Sequence, residues 1–136
     1  MANTYALTKI QDGPRNVVYH VFIESDGVSG EIVKEVVIDP AADLDPAFEA
    51  VPAFTIEKIV YSLVGFSAKL EFDYLASETP VWVLAGGQES EACFKNFGGL
   101  KDRSNVLDGT GKLLISTVGL TTAGDMGSIL ILVRKD

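Results

Sequence analysis

The chain has 136 residues, 47% hydrophobic and 22% charged, with a net charge of −8 and a pI near 4.5. That length suits one domain, residues 1–136, with a sizeable core, and that balance excludes a disordered chain. The negative charge repels phosphate backbones and no apolar run reaches the roughly 20 residues of a membrane helix, so neither nucleic acid nor membrane is an expected partner.

The first residues, MANTYALTKIQDGPR, lack a basic region leading into an apolar block, so no secretory signal is expected. Cys93 is the one cysteine. It cannot form an intrachain disulfide and fits assembly in a reducing cytosol.

Tyr5 to Ile10 reads as a first strand, stopped by the turn cluster Gln11-Asp12-Gly13-Pro14. Asn16 to Glu24 (NVVYHVFIE) is apolar with little polar relief, the pattern of a strand buried on both faces. Asp26 to Gly30 turns the chain, and Glu31 to Ile38 is expected to return as its hairpin partner. Asp39 to Ala53 (DPAADLDPAFEAVPA) is rich in proline and carboxylates and reads as an exposed crossover between two halves of the sheet arrangement.

Phe54 to Leu84 is the apolar spine. Ala68, Leu70, Phe72 and Tyr74 alternate with Lys69, Glu71 and Asp73, a period of two with one face in a core. Ile56 to Val64 also fits an amphipathic helix, but its Ile, Val and Tyr content favours strand. After a polar turn, Val81-Trp82-Val83-Leu84 is apolar on both sides, and Trp82 is expected in the core with Phe72 and Tyr74. Gly86 to Gly111 is a second irregular region, with a short strand within Glu91 to Phe97. Lys112 to Val118 and Ser128 to Arg134 are the closing strands, joined by a turn over Gly119 to Gly127. About eight strands at this spacing predict an all-β, single-domain β-sandwich, jelly-roll-like.

No residue set announces catalysis. His20, the one histidine, lies inside an apolar run and reads as a packed, hydrogen-bonded imidazole. With one histidine and one cysteine the usual zinc site is not expected, and a Cys93–His20 nucleophile pair rests on no local motif. No Gly-x-Ser-x-Gly elbow is present. Gly109-Thr110-Gly111-Lys112 departs from a phosphate loop, with Val106 and Leu113 where Gly and Ser or Thr belong, and reads as a tight turn. Asp39, Asp43, Asp45 and Glu49 lack the spacing and glycine of an EF-hand and read as a solvated acidic loop. No cofactor or metal is expected, and the chain does not read as an enzyme.

Four stretches carry a resemblance. They are Gly65 to Phe72 (GFSAKLEF), Phe94 to Leu100 (FKNFGGL), Gly109-Thr110-Gly111-Lys112 leading into Ile115 to Gly119 (ISTVG), and Gly124 to Lys135 (GDMGSILILVRK). Their order and spacing resemble small β-rich structural proteins of tailed bacteriophages. The resemblance covers roughly the C-terminal half, with weaker agreement over Asn16 to Ile38. It implies a capsid decoration (cement) protein that binds the outside of a shell of major capsid protein, often as a trimer. Such a protein is made in the host cytoplasm and resides on the virion's capsid surface. The alternative is a jelly-roll module of a phage fibre or tail that binds carbohydrate or a host surface.

The two irregular regions are the expected docking loops, because contacts gather on loops carried by a rigid sandwich. The acidic one offers Asp43 and Asp45 to basic capsid groups. The second offers Phe94 and Phe97 as apolar anchors with Lys101 and Arg103 at the rim. The competing expectation is that both phenylalanines pin their own loop to the core.

Overall fold

The computed structural model describes residues 3–13, 16–39, 54–74, 79–86, 89–101 and 109–135. Among these residues ten strands follow in chain order. They are β1 (Thr4–Asp12), β2 (Asn16–Glu24), β3 (Glu35–Ile38), β4 (Phe54–Val64), β5 (Ser67–Tyr74), β6 (Thr79–Leu84), β7 (Glu89–Cys93), β8 (Leu100–Lys101), β9 (Gly109–Val118) and β10 (Met126–Lys135). One 3-10 turn, Lys95–Phe97, lies between β7 and β8.

The strands form two antiparallel sheets. The first runs β1-β2-β10-β4-β7, with β8 pairing β4 beyond the end of β7, and the second runs β3-β9-β5-β6. Without the edge strand β1 and the two-residue β8, eight strands remain, ordered β2-β10-β4-β7 over β3-β9-β5-β6. That order is the eight-stranded jelly roll, two Greek keys folded into a sandwich. The expected all-β sandwich is the fold observed, and Ile56 to Val64 is strand.

Alternation explains why the chain pairs this way. Val17, Tyr19, Val21 and Ile23 of β2, Ile59, Tyr61 and Leu63 of β4, and Ile129, Ile131 and Val133 of β10 point inward. They meet Ala68, Leu70 and Phe72 of β5 and Leu113 and Ile115 of β9. Each such side chain contributes roughly 1.5–3 kcal/mol by leaving water. Phe54 and Phe72 join the two layers directly, with ring centroids 6.3 Å apart.

Four sequence expectations need correction. First, the segment after β2 does not return as its hairpin partner. It crosses to the other sheet, where β3 pairs β9, while β2 lies between β1 and β10. That strand also starts only at Glu35, because Lys34 adopts a left-handed φ of 52°. Before it, the Ile32 and Lys34 N–H groups donate to the side-chain oxygens of Thr117 and Ser116. Second, β2 is buried on one face, with its other face half-buried. Third, Trp82 is 42% exposed and Val83 is exposed, so β6 is an edge strand without a doubly covered centre. Fourth, Gly109–Gly111 is the start of β9 and not a tight turn.

Polar struts fix the crossovers. The Glu31 carboxylate accepts from the Gly119 N–H at 2.6 Å, the Leu120 N–H at 2.8 Å and the Thr117 hydroxyl at 3.0 Å. Asn3 accepts from the Asp26 N–H and donates to the Gly30 carbonyl, tying the start of β1 to the same crossover. At the far end of β1 the buried Lys135 ammonium donates to Asp12 and to the Gly13 carbonyl, both at 2.9 Å. Residues 40–53, the predicted acidic crossover, lie outside the described residues; their flanking strands β3 and β4 belong to different sheets.

Candidate interaction surface

A strand that buries every second residue turns the others outward. On the second sheet those include the polar Lys69, Lys112 and Ser116 and the separate, exposed Val36, Val83 and Val118. On the middle of the first sheet the apolar ones adjoin one another. The register sets three rows across β2, β10 and β4: Phe22, Ser128 and Ser62; His20, Leu130 and Val60; Val18, Leu132 and Lys58. Met126, 40% exposed, and Val64, 57% exposed, extend the face beyond Ser128 and Ser62.

The face is not flat. Ser62 and Ser128 are cross-strand partners and the smallest outward side chains of the three rows. Two shallow depressions meet over them. One, of about 340 Å³, is walled by Ile10, His20, Val60 and Leu130. The other, of about 200 Å³, is walled by Phe22, Val64 and Met126. Ile10 reaches the first because the β1–β2 register slips between Lys9 and Gln11, leaving Ile10 at a bulge.

Charge stays at the rim. Lys58 pairs with Glu91 at 3.1 Å, and Arg134 with Glu57 at 3.6 Å. Glu24 stands at the opposite end of β2 from Asn16, beside Met126. An apolar centre inside a polar border is the anatomy of an interaction surface.

The sequence placed its candidate contacts elsewhere. Phe94 is 3% exposed and part of the core. Its N–H donates to the Glu57 carbonyl at 2.8 Å, its carbonyl accepts from the Gly99 N–H, and its ring meets Trp82 edge-on. As an exposed anchor Phe94 is therefore corrected: it pins its loop to the sandwich. Phe97 closes the 3-10 turn, and Lys101 sits in β8 opposite Thr55; their side chains lie outside the described residues. Arg103, Asp43 and Asp45 lie wholly outside them. Phe94 and the 3-10 turn thus lie between β7 and β8, the two strands that pair one edge of β4, and the outward face of β2, β10 and β4 is a separate surface.

His20 stands on that outward face and is not enclosed by two layers. Cys93 is exposed on β7, in register with Lys58. Among the described residues no group of three or more His, Cys, Asp and Glu side chains is placed to hold a metal ion. Comparison with known family models, curated proteins and solved structures finds no significant match to this chain.

Proposed function

We propose that this chain is an interaction protein of a tailed-bacteriophage virion: a capsid decoration protein that binds the outer surface of the major capsid protein shell and stabilises it. The observation that carries the interaction role is the outward face of β2, β10 and β4, where Phe22, Val60, Leu130 and Leu132 are half-buried with no second layer over them, beside the exposed Ile10, Val64 and Met126. The phage setting is supported by the resemblance of the four stretches named above. In this reading the chain works as a homo-oligomer on the capsid surface. The loops that follow β3 and β7 reach the shell, and symmetry repeats a small contact many times.

The reading is tested by co-sedimentation of the purified protein with emptied capsids. Saturable binding in a fixed ratio to capsid subunits is expected. Absence of binding at micromolar protein would overturn it.

One observation favours a second reading, a carbohydrate- or host-surface-binding jelly roll of a fibre or tail. Trp82 is 42% exposed beside Phe94 at the flank of the sandwich, and exposed aromatic rings are platforms for stacking. Binding to a glycan array that Trp82→Ala abolishes, without capsid binding, would establish this reading in place of the first.

A further inference from the structure

We propose that the outward face of the first sheet is covered by a second copy of this chain, as a two-fold, face-to-face pair. The inference rests on the reading of the chain as an interaction protein and names the occupant of that face.

The first argument is self-complementarity. A two-fold axis in the plane of contact, crossing the strands at the level of His20, Leu130 and Val60, sets β10 antiparallel on β10. It matches the row of Val18, Leu132 and Lys58 in one copy to the row of Phe22, Ser128 and Ser62 in the other. Leu132, the largest outward apolar side chain of its row, then enters the hollow over Ser128 and Ser62, and the reverse contact is identical. Isologous contacts require such a pairing of one surface with itself.

Charge is the second argument. The chain carries a net −8, yet Lys58–Glu91 and Arg134–Glu57, ion pairs at the rim of this face, are balanced. The same axis brings Arg134 of one copy to the end of the sheet that holds Met126 and Glu24 in the other. Arg134 of each copy therefore lies over Met126 and one strand from Glu24 of the other, and Lys58 faces the uncharged Ser62.

Size is the third. Four strands about 4.8 Å apart and seven residues at about 3.3 Å each make a central face of roughly 450 Å², its apolar side chains interspersed with Ser62, Ser128, His20 and Lys58. The nine- and ten-residue lengths of β1, β2 and β10 extend it, with the polar rim, to roughly 600 Å² per copy, somewhat under the roughly 800 Å² of a standard interface. A reversible, concentration-dependent pair follows, in place of the three-fold grouping that the resemblance implies. Two copies joined this way make a divalent unit for adjoining capsid subunits.

The test is sedimentation equilibrium of the isolated protein and of two variants from micromolar to several hundred micromolar. Wild type is expected to move from 14.6 kDa toward twice that mass as concentration rises. Leu132→Glu charges the knob and Ser128→Leu fills the hollow while adding apolar surface; each is expected to weaken the pair about tenfold or more. Circular dichroism and melting check that each variant folds, and either variant alone suffices if the other does not. A wild type that stays monomeric, or forms trimers, overturns the proposal, as does a dimer that both variants preserve. A monomer that binds emptied capsids and loses them with Leu132→Glu assigns the face to the shell; it overturns the pair and leaves the decoration reading standing. A dimer that ignores capsids does the reverse.

Discussion

Trp82 of β6 meets Phe94 edge-on, with ring centroids 5.1 Å apart and planes at 74°, and so closes the flank of the sandwich between the edge strands of its two sheets. Phe94 is the buried member of the pair and Trp82 the exposed one. Phe94→Ala is expected to cost roughly 3–5 kcal/mol, because a large ring leaves a cavity that the backbone at Glu57 and Gly99 holds open. Trp82→Ala is expected to cost distinctly less, since much of its surface is already in water. Chemical denaturation of both variants checks the order; equal losses would contradict it.

Glu31 predicts an acid limb of stability. Burial alone would raise its carboxyl, but the Gly119 and Leu120 N–H groups and the Thr117 hydroxyl outweigh that and hold it below the ordinary 4.5. A carboxyl lowered on folding stabilises fully above its unfolded value, and the contribution is lost as pH falls through the folded one. Asp26 behaves alike: the Ser29 hydroxyl and the Ser29 and Val28 N–H groups hold it at about 2. Melting temperature is therefore expected to be level near neutrality and to fall below pH 4.5 toward about 2. Glu31→Gln is expected to melt lower than wild type at pH 7 and to converge with it in acid. A gap that widened on acidification would contradict the assignment.

Lys135 predicts a local effect. Its ammonium lowers the Asp12 carboxyl chiefly through their hydrogen bond and clasps the β1–β2 turn. The side chains of β1 are largely exposed, so this strand depends on its ladder with β2 and on the ties at its ends. Lys135→Met is expected to speed amide exchange across Thr4–Asp12 while β10 stays protected and global melting changes little. Uniform loss of protection would show that β1 unfolds only with the whole domain.

Gly65 and Gly98 separate backbone strain from crowding. Both have positive φ, 85° and 90°. A Cβ on Gly65 would collide with the Asp125 carboxylate, which accepts the Thr122 N–H, whereas a Cβ on Gly98 meets open space. Gly98→Ala is expected to cost about 1 kcal/mol and Gly65→Ala about 2–3 kcal/mol. Thermal melts of the two variants check the difference.

The fold was legible where a strand's two faces differ. Ala68, Leu70 and Phe72 against Lys69 and Glu71 declare which side is core, and β5 follows them. Pairing was less legible. Asn16–Glu24 and the chain after it look like a hairpin because neighbours in sequence usually pair, but a jelly roll sends β3 to the opposite sheet. The apolar outward face of the first sheet was visible in the sequence and was read as core. Val18, Phe22, Leu130 and Leu132 are apolar as if a second layer covered them, and the sandwich supplies only one. Their excess apolar character was the signal that this face differs from an ordinary solvated one. The phenylalanines of the loop after β7 were a poorer guide, since Phe94 turns inward to Trp82.

The central claim, that this protein decorates a capsid, is tested most directly by an electron cryo-microscopy reconstruction of the virion that carries it. The jelly roll is expected as ordered density on the outer surface of the shell, repeated with the capsid lattice and contacting the major capsid protein. Density for this chain on a tail or fibre, or none in the virion, would contradict the account.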